Sequence, residues 1–279
     1  MHRATTVLID GVSLSVKRWG CGAPVVCLSA IGHDALDFAA LAQRVGDRCE
    51  LICIEWPGHG DSGADRHPAS AARYAELIDG ALQTLAIEHP VVLGNSIGGA
   101  VAILYAAQNP VRGVVLCDSG GLVEVTPIIT RFCNAFARMF AAGERGAWWY
   151  PYLFALYYRM VLPQPAAAAQ RNRIIARARA IAPLLQQAWS SFGTAAADIR
   201  DVAATLDVPV WVAWATRDRV IPLRACHAAI SRMRNAKLDM FDAGHAAFLE
   251  QPDAFARSFN AFVADLPHAE NAPATRASA

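Results

Sequence analysis

The sequence predicts an α/β fold in which helices cover both faces of a mostly parallel, eight-stranded sheet. Three observations predict this fold. A hairpin pattern opens the chain, six short apolar runs then alternate with helical stretches, and one long segment without strand character interrupts the alternation. Continuous apolar strands separated by helices are typical of parallel sheets that are buried on both faces.

The eight strands follow in chain order. Residues 5–19 predict two strands around a turn at Asp10-Gly11, a pair of residues that is common in hairpin turns. The other six strands are predicted at the apolar runs Val25–Ser29, Leu51–Glu55, Val91–Gly94, Val114–Asp118, Val210–Ala215 and Lys237–Phe241.

Helical stretches separate these runs and close the chain. They are predicted over Ala35–Val45, Ser70–Ala86, Ile97–Gln108, Pro222–Arg234 and Ala247–Leu266. The tail, residues 267–279, is small and polar, and such termini are typically disordered.

One segment departs from the alternation. No strand pattern occurs between Gly121 and about residue 200, where an aromatic-rich stretch precedes an alanine- and arginine-rich helix around Gln170–Ala182. A helical insertion after a strand of a parallel sheet is expected to cover the carboxyl ends of the strands, where ligands bind. We therefore predict a core of residues 1–120 and 201–266 and a helical cap of residues 121–200.

The composition excludes several classes of protein. Hydrophobic residues make up 54% of the chain, and the net charge of +1 predicts no field that would attract a nucleic acid or a membrane. No signal peptide or membrane span is apparent, and the seven cysteines form no Cys-x-x-Cys pair. We expect a cytoplasmic protein with reduced cysteines, no metal and no cofactor, and a homodimer is compatible with the sequence.

A candidate nucleophile lies between the third apolar run of the alternating region and the helix that follows it. In Gly94-Asn95-Ser96-Ile97-Gly98, small residues two positions before and after the serine permit a tight strand-to-helix turn. The helix N-terminus then offers its dipole and free N–H groups to developing negative charge. This pattern favours Ser96 as a nucleophile over an incidental serine in a glycine-rich turn.

A serine hydroxyl requires a base, and a base requires a group that orients it. His245 follows the last predicted strand, in a loop that can return to the carboxyl edge of the sheet. His33, which also lies near that edge, is the main rival. Asp218 closes the strand Val210–Ala215 and is the favoured acid, with Asp118 as the alternative. An aspartate at a strand end otherwise often caps the next helix.

The sequence also predicts groups that bind the reacting carbonyl and the rest of the substrate. Backbone N–H groups of Ile97 and Ile31 are placed to form an oxyanion hole. Candidate substrate-binding residues are His33, Asn95, Trp148, Trp149 and Tyr157. The cap segment carries nine arginines against three acidic residues, and an arginine among them could bind a substrate carboxylate.

Four motifs together resemble those of cap-containing α/β-hydrolases. They are Trp56-Pro57-Gly58-His59-Gly60-Asp61-Ser62, Gly94-Asn95-Ser96-Ile97-Gly98-Gly99, Arg217-Asp218-Arg219-Val220-Ile221-Pro222, and Ala243-Gly244-His245 with Glu250-Gln251-Pro252. The resemblance covers roughly residues 5–266 and implies the triad Ser96, Asp218 and His245. The family's usual His-Gly before the oxyanion residue is replaced by Ser29-Ala30.

The resemblance implies a serine hydrolase of small carboxylic esters or lactones, similar to esterases and enol-lactonases. Its motif around Ser96 is also similar to that of carbon–carbon bond hydrolases of ring-cleavage products. Those enzymes usually carry a tryptophan directly after the catalytic histidine, where this chain has Ala246. A non-catalytic ligand sensor on the same fold is the alternative from another functional class.

Overall fold

A computed structural model describes residues 3–267 of the chain. The predicted tail 267–279 lies outside the described residues except for Pro267. Eight strands form one sheet, and their bounds are β1 Arg3–Ile9, β2 Val12–Trp19, β3 Ala23–Leu28, β4 Cys49–Ile54, β5 Val91–Asn95, β6 Gly113–Cys117, β7 Val210–Ala215 and β8 Ala236–Phe241.

The order of the strands confirms the predicted eight-stranded, mostly parallel sheet. The strands are arranged β1-β2-β4-β3-β5-β6-β7-β8, with β1 and β2 antiparallel to their neighbours and all other pairs parallel. The hairpin turns at Asp10 and Gly11, whose φ angles of 47° and 78° are left-handed as a two-residue hairpin turn requires.

Helices connect the strands. Within the described residues the α-helices are α1 Ala39–Val45, α2 Ala71–Thr84, α3 Ile97–Ala106, α4 Pro127–Glu144, α5 Tyr150–Val161, α6 Ala168–Ala176, α7 Ala178–Phe192, α8 Arg200–Ala204, α9 Leu223–Ile230, α10 Ala247–Glu250 and α11 Pro252–Ala264. Short 3₁₀ helices precede α1, α6 and α8. Every regular element between β6 and α8 is helical.

Two predicted helices are each divided in the structure. The helix expected around Gln170–Ala182 is α6 followed by α7, because Arg177 leaves helical geometry with φ −97° and ψ 11°. The helix expected over Ala247–Leu266 is α10 followed by α11, with the break at Gln251 directly before Pro252. A residue before proline is biased away from the helical conformation, which accounts for the second break.

The core lies on the central strands. Every residue of β5, β6 and β7 is buried, as expected for parallel strands covered on both faces. Of the seven cysteines, all of which are unpaired, only Cys21 is exposed. Among residues 3–267, no helix has both the length and the apolar character needed to cross a bilayer.

Candidate active site

Ser96 occupies a sharp turn between β5 and α3. Its φ of 56° and ψ of −120° are rare for a residue with a side chain, so the turn holds the backbone in a strained conformation. The Ser96 carbonyl accepts hydrogen bonds from the N–H groups of Gly120 at 2.8 Å and Gly99 at 3.0 Å. These bonds hold the turn in place from two sides.

Close approach of the backbone around Ser96 requires glycine at two positions. A Cβ atom at Gly94 would collide with the carbonyl of Gly98, and one at Gly98 would collide with the carbonyl of Leu28. The strand and helix therefore pack more closely than any side chain permits. This steric requirement is the physical basis of the motif found in the sequence.

His245 and Asp218 form a buried hydrogen-bonded pair. The His245 Nδ1 atom lies 2.9 Å from Asp218 Oδ2, and both residues are buried. The other oxygen of Asp218 accepts from the N–H groups of Val220 at 2.7 Å and Ile221 at 3.1 Å. Burial disfavours protonation of His245, but the Asp218 carboxylate outweighs burial and raises the pKa of the imidazole above its ordinary value.

Asp118, the alternative acid, is placed differently. It is fully buried at the end of β6, where its Oδ1 accepts the Ala215 N–H at 2.8 Å. Burial and, to a smaller extent, repulsion by Asp218 raise the pKa of Asp118 to about 8. Burial thus favours the protonated form of Asp118, and Asp218 is the carboxylate that hydrogen-bonds to His245.

Two side chains fix the loop that carries His245. Asn95 Nδ2 donates to the carbonyl of His245 at 2.8 Å and to the carbonyl of Cys117 at 3.0 Å. The Glu250 carboxylate accepts the Gly244 N–H at 2.6 Å. The motif that begins at Ala243 and ends at Pro252 thus folds back on itself and anchors the histidine.

The loop after β3 is held by side chains of the segment that follows β4. Trp56 Nε1 donates to the Ser29 carbonyl at 2.9 Å, and the Gly32 N–H donates to His59 Nε2 at 2.8 Å. Within residues 3–267, no hydrogen bond uses the N–H of Ile31. The N–H of Ile97, at the first position of α3, has no acceptor within the helix.

His59 holds that loop as a neutral imidazole. Its Nδ1 lies 2.9 Å from the Pro57 carbonyl, so Nδ1 donates there while Nε2 accepts from Gly32. Burial lowers the pKa of His59 to about 4. Both hydrogen bonds thus require the same neutral tautomer, in which the ring proton is on Nδ1 and Nε2 is free to accept.

A cavity of about 460 Å³ opens onto these groups. Ser96, His245, Ile31 and Ile97 all line it. The rest of the wall is largely apolar and comes mainly from α4, α5, α7 and the segment after β7, including Ile129, Phe132, Tyr157, Leu185, Trp189, Val220 and Ile221. The helical segment therefore covers the carboxyl edge of the sheet where Ser96 lies.

Among the predicted substrate-binding residues, His33 and Tyr157 line the cavity. His33 is buried, and its Nδ1 lies 2.5 Å from the fully buried Asp37 carboxylate. Burial raises the pKa of Asp37, although the neighbouring His33 opposes that shift. The site thus contains a second buried His–Asp pair besides His245 and Asp218.

The other three predicted substrate-binding residues do not line the cavity. Asn95 is fully buried behind the turn, where it binds main-chain carbonyls. Trp148 and Trp149 lie on the outer surface, where Trp148 is 78% exposed. The structure therefore does not place these three side chains on the cavity wall. For the two tryptophans the reason is that aromatic residues of the helical segment divide between the cavity wall and the outside, and sequence alone does not separate the two faces. Asn95 is instead held by its own hydrogen bonds behind the turn.

The arginines on the cavity wall are not those of the cap. None of the nine cap arginines lines the cavity, whereas Arg219 and Arg224, which follow β7, both do. Neither forms an ion pair within the described part of the chain. Sequence reasoning missed both residues, although the position of Arg219 directly after Asp218 was a signal that could have identified it.

Comparison with known proteins agrees with this architecture. The profile of the alpha/beta hydrolase family matches residues 25–258. The chain is 29% identical over 248 residues to the pimeloyl-[acyl-carrier protein] methyl ester esterase of Xanthomonas campestris, covering 82% of this chain and 90% of that protein.

Two solved structures share the fold at low sequence identity. An esterase from Exiguobacterium antarcticum superposes with a TM-score of 0.81 at 19% identity, covering 94% of this chain and 100% of the other. The enol-lactonase from Burkholderia xenovorans superposes with a TM-score of 0.77 at 19% identity, with the same coverage of 94% and 100%.

Proposed function

Because this chain belongs to the alpha/beta hydrolase family, we propose that it cleaves a carboxylic ester or lactone through an acyl-enzyme on Ser96. The proposal rests on one observation, which is the arrangement of three side chains at a single cavity. Ser96 sits on a strained turn at a helix N-terminus, and His245, held by the buried Asp218, lines the same cavity. A nucleophile, a base and an orienting acid are the groups that acyl transfer requires.

In the proposed first step, Ser96 Oγ attacks the acyl carbon. His245 takes the hydroxyl proton and gives it to the leaving alkoxide, so that the C–O bond breaks as the acyl-enzyme forms. Asp218 keeps the His245 proton on Nδ1 and stabilises the imidazolium. Water then attacks the acyl-enzyme by the reverse proton route and releases the acid.

The negative charge that develops on the carbonyl oxygen is stabilised by the free N–H groups of Ile31 and Ile97. Both are backbone donors, which are fixed before the substrate binds and need no rearrangement during the reaction. Each donor of this kind typically contributes about 3 kcal/mol to the stability of the transition state.

The cavity favours an apolar substrate group. Its wall is mainly aliphatic and aromatic, and its volume of about 460 Å³ lies in the range that holds a small organic ligand. His33 and Tyr157 supply polar atoms to the wall of the same cavity and are the proposed substrate-contacting residues.

Labelling with a fluorophosphonate tests the nucleophile, and a substrate panel tests the reaction. We expect the wild type to be labelled and the Ser96→Ala variant to be unlabelled. The panel compares p-nitrophenyl esters of rising acyl length, lactones and a ring-cleavage dienoate, and we expect turnover of esters or lactones.

Two results would contradict the proposal. Activity on the dienoate alone would identify a carbon–carbon bond hydrolase. A non-catalytic sensor would be identified by two results together: the folded wild type is not labelled, and it binds ligand no more tightly or weakly than Ser96→Ala does. Circular dichroism of both proteins provides the control for folding.

A further inference from the structure

The outward face of α5 is apolar and partly to largely exposed in the described chain. The inward face, which contains Phe154 and Tyr158, packs into the cap. We define the α5 stripe as six exposed apolar residues. Trp148 and Trp149 directly precede the helix, and Tyr152, Leu153, Leu156 and Met160 lie on its outward face. Positions 149, 153, 156 and 160 follow helical spacing, so they form one continuous strip.

Helices with apolar residues on both faces normally bury both of them. Leu156 is 61% exposed and Trp148 is 78% exposed in this chain. Contiguous apolar surface of this kind marks an interaction site rather than ordinary exposure of single residues.

The segment that contains the stripe carries a strong positive charge. Residues 121–200 contain nine of the chain's 25 basic residues and three of its 24 acidic residues, so this segment carries +6 and the rest carries −5. The net charge of the whole chain is only +1 because the two parts nearly cancel. The net charge therefore gives no sign of a region that could bind a charged partner.

Three arginines lie close to the stripe. Arg159 is on α5 itself, Arg145 ends α4 shortly before Trp148, and Arg179 donates to the Ala147 carbonyl at 3.3 Å. In residues 3–267, Arg200 is the only cap arginine that forms an ion pair. Glu144 is the acidic residue nearest in sequence to the stripe.

We propose that the α5 stripe docks the protein onto an anionic lipid surface. Large apolar side chains flanked by arginine are the combination that interfacial helices use, with the apolar residues entering the boundary of the headgroups and the arginines attracting anionic lipid. The helix that docks also forms part of the cavity wall, through Tyr157 and Val161.

Two other occupants fit the stripe less well. A second copy of the chain would bring two segments of +6 together, and like charges oppose that contact. The C-terminal residues 268–279 contain no large apolar side chain that could cover an apolar strip. An anionic bilayer matches both the apolar character and the charge.

Vesicle flotation with the full chain tests the proposal. Phosphatidylcholine vesicles are compared with vesicles that are half phosphatidylglycerol, at low and high NaCl. We expect binding to the anionic vesicles that is at least tenfold tighter and weakens with salt, because exposed charges are screened. Arg159→Gln is expected to weaken this binding about fivefold, and Leu156→Asp more than tenfold.

Leu8→Asp is the matched control, since Leu8 is 72% exposed on β1, away from the cap. It should bind the anionic vesicles like the wild type, and all variants should retain their thermal stability.

Equal binding to both vesicle types, or full binding by Leu156→Asp, would overturn the proposal. A stable dimer in gel filtration that Leu156→Asp dissociates would also overturn it and would assign the stripe to self-association. Binding is measured without turnover, so its outcome is independent of the proposed hydrolysis.

Discussion

The side chain of Asn95 connects the turn at Ser96 to the loop that carries His245. It precedes Ser96 directly, and its amide donates to the main-chain carbonyl of His245 over 2.8 Å. The position of His245 relative to Ser96 is therefore set by a buried hydrogen bond as well as by the path of the chain.

Replacing Asn95 should affect stability and turnover together. Asn95→Ala leaves the buried His245 carbonyl without this donor, at a cost of about 1–3 kcal/mol, whereas the Cys117 carbonyl keeps the Ser96 N–H at 3.2 Å. Misplacement of His245 should lower kcat by about 10- to 100-fold. Urea denaturation and ester kinetics measure the two effects. Asn109→Ala, which removes one partly exposed hydrogen bond, is the control and should change neither quantity appreciably.

The two buried aspartates should differ in their effect on turnover. Asp218→Asn removes the charge that faces His245 and is expected to lower kcat by about 10⁴-fold. Asp118→Asn keeps an oxygen for the Ala215 N–H and resembles the protonated acid, so kcat should stay within about tenfold of the wild type. The reverse ranking of these two variants would assign Asp118 as the orienting acid.

The pH dependence of kcat/KM should report His245. In the proposed mechanism the neutral imidazole is the base, and Asp218 raises the pKa of His245 above the ordinary 6.5 despite burial. Activity should therefore rise with pH through a midpoint above 6.5 and fall about tenfold for each unit below it. In Asp218→Asn, the residual activity should titrate at lower pH, because the charge that favours the imidazolium is absent. An acid limb with its midpoint below 6.5 in the wild type would contradict this account.

His59 should make the protein acid-sensitive. Its pKa is about 4 in the folded protein, and its ordinary value is 6.5, so the unfolded chain binds the proton more tightly. Its contribution to the free energy of unfolding is therefore complete above pH 6.5 and is lost, by about 3 kcal/mol, as the pH falls towards 4. Urea denaturation at several pH values should show a smaller loss in His59→Gln. The exposed His67→Gln should follow the wild type.

The sequence predicted the strands well because their physical signal is local. Val210–Ala215 matches β7 at both ends, and the turn at Asp10-Gly11 carries its own backbone preference. Helix breaks were harder to predict, because Arg177 interrupts a helical stretch without glycine or proline. Packing, rather than local preference, must decide such a break.

The candidate site residues also divide into those with a signal in the neighbouring sequence and those without one. Ser96 lies in a motif whose residues are contiguous in the chain, and the sequence therefore identifies it, although Gly98 is required by the distant carbonyl of Leu28. The distinction between Asp218 and Asp118 depends on which carboxylate faces His245, and both end buried strands. Trp148 lies on the outer face, and Arg219 lies on the cavity wall; only the packing of the cap on the sheet determines these placements.

The helical segment between β6 and β7 separates Ser96 from His245 in the chain, and this has a consequence for biosynthesis. At about 5–20 residues per second, a ribosome needs roughly 7 to 30 s to proceed from one residue to the other. During that interval the nascent chain exposes the serine without its base. Under the proposed mechanism, Ser96 therefore cannot gain its base until synthesis has passed His245.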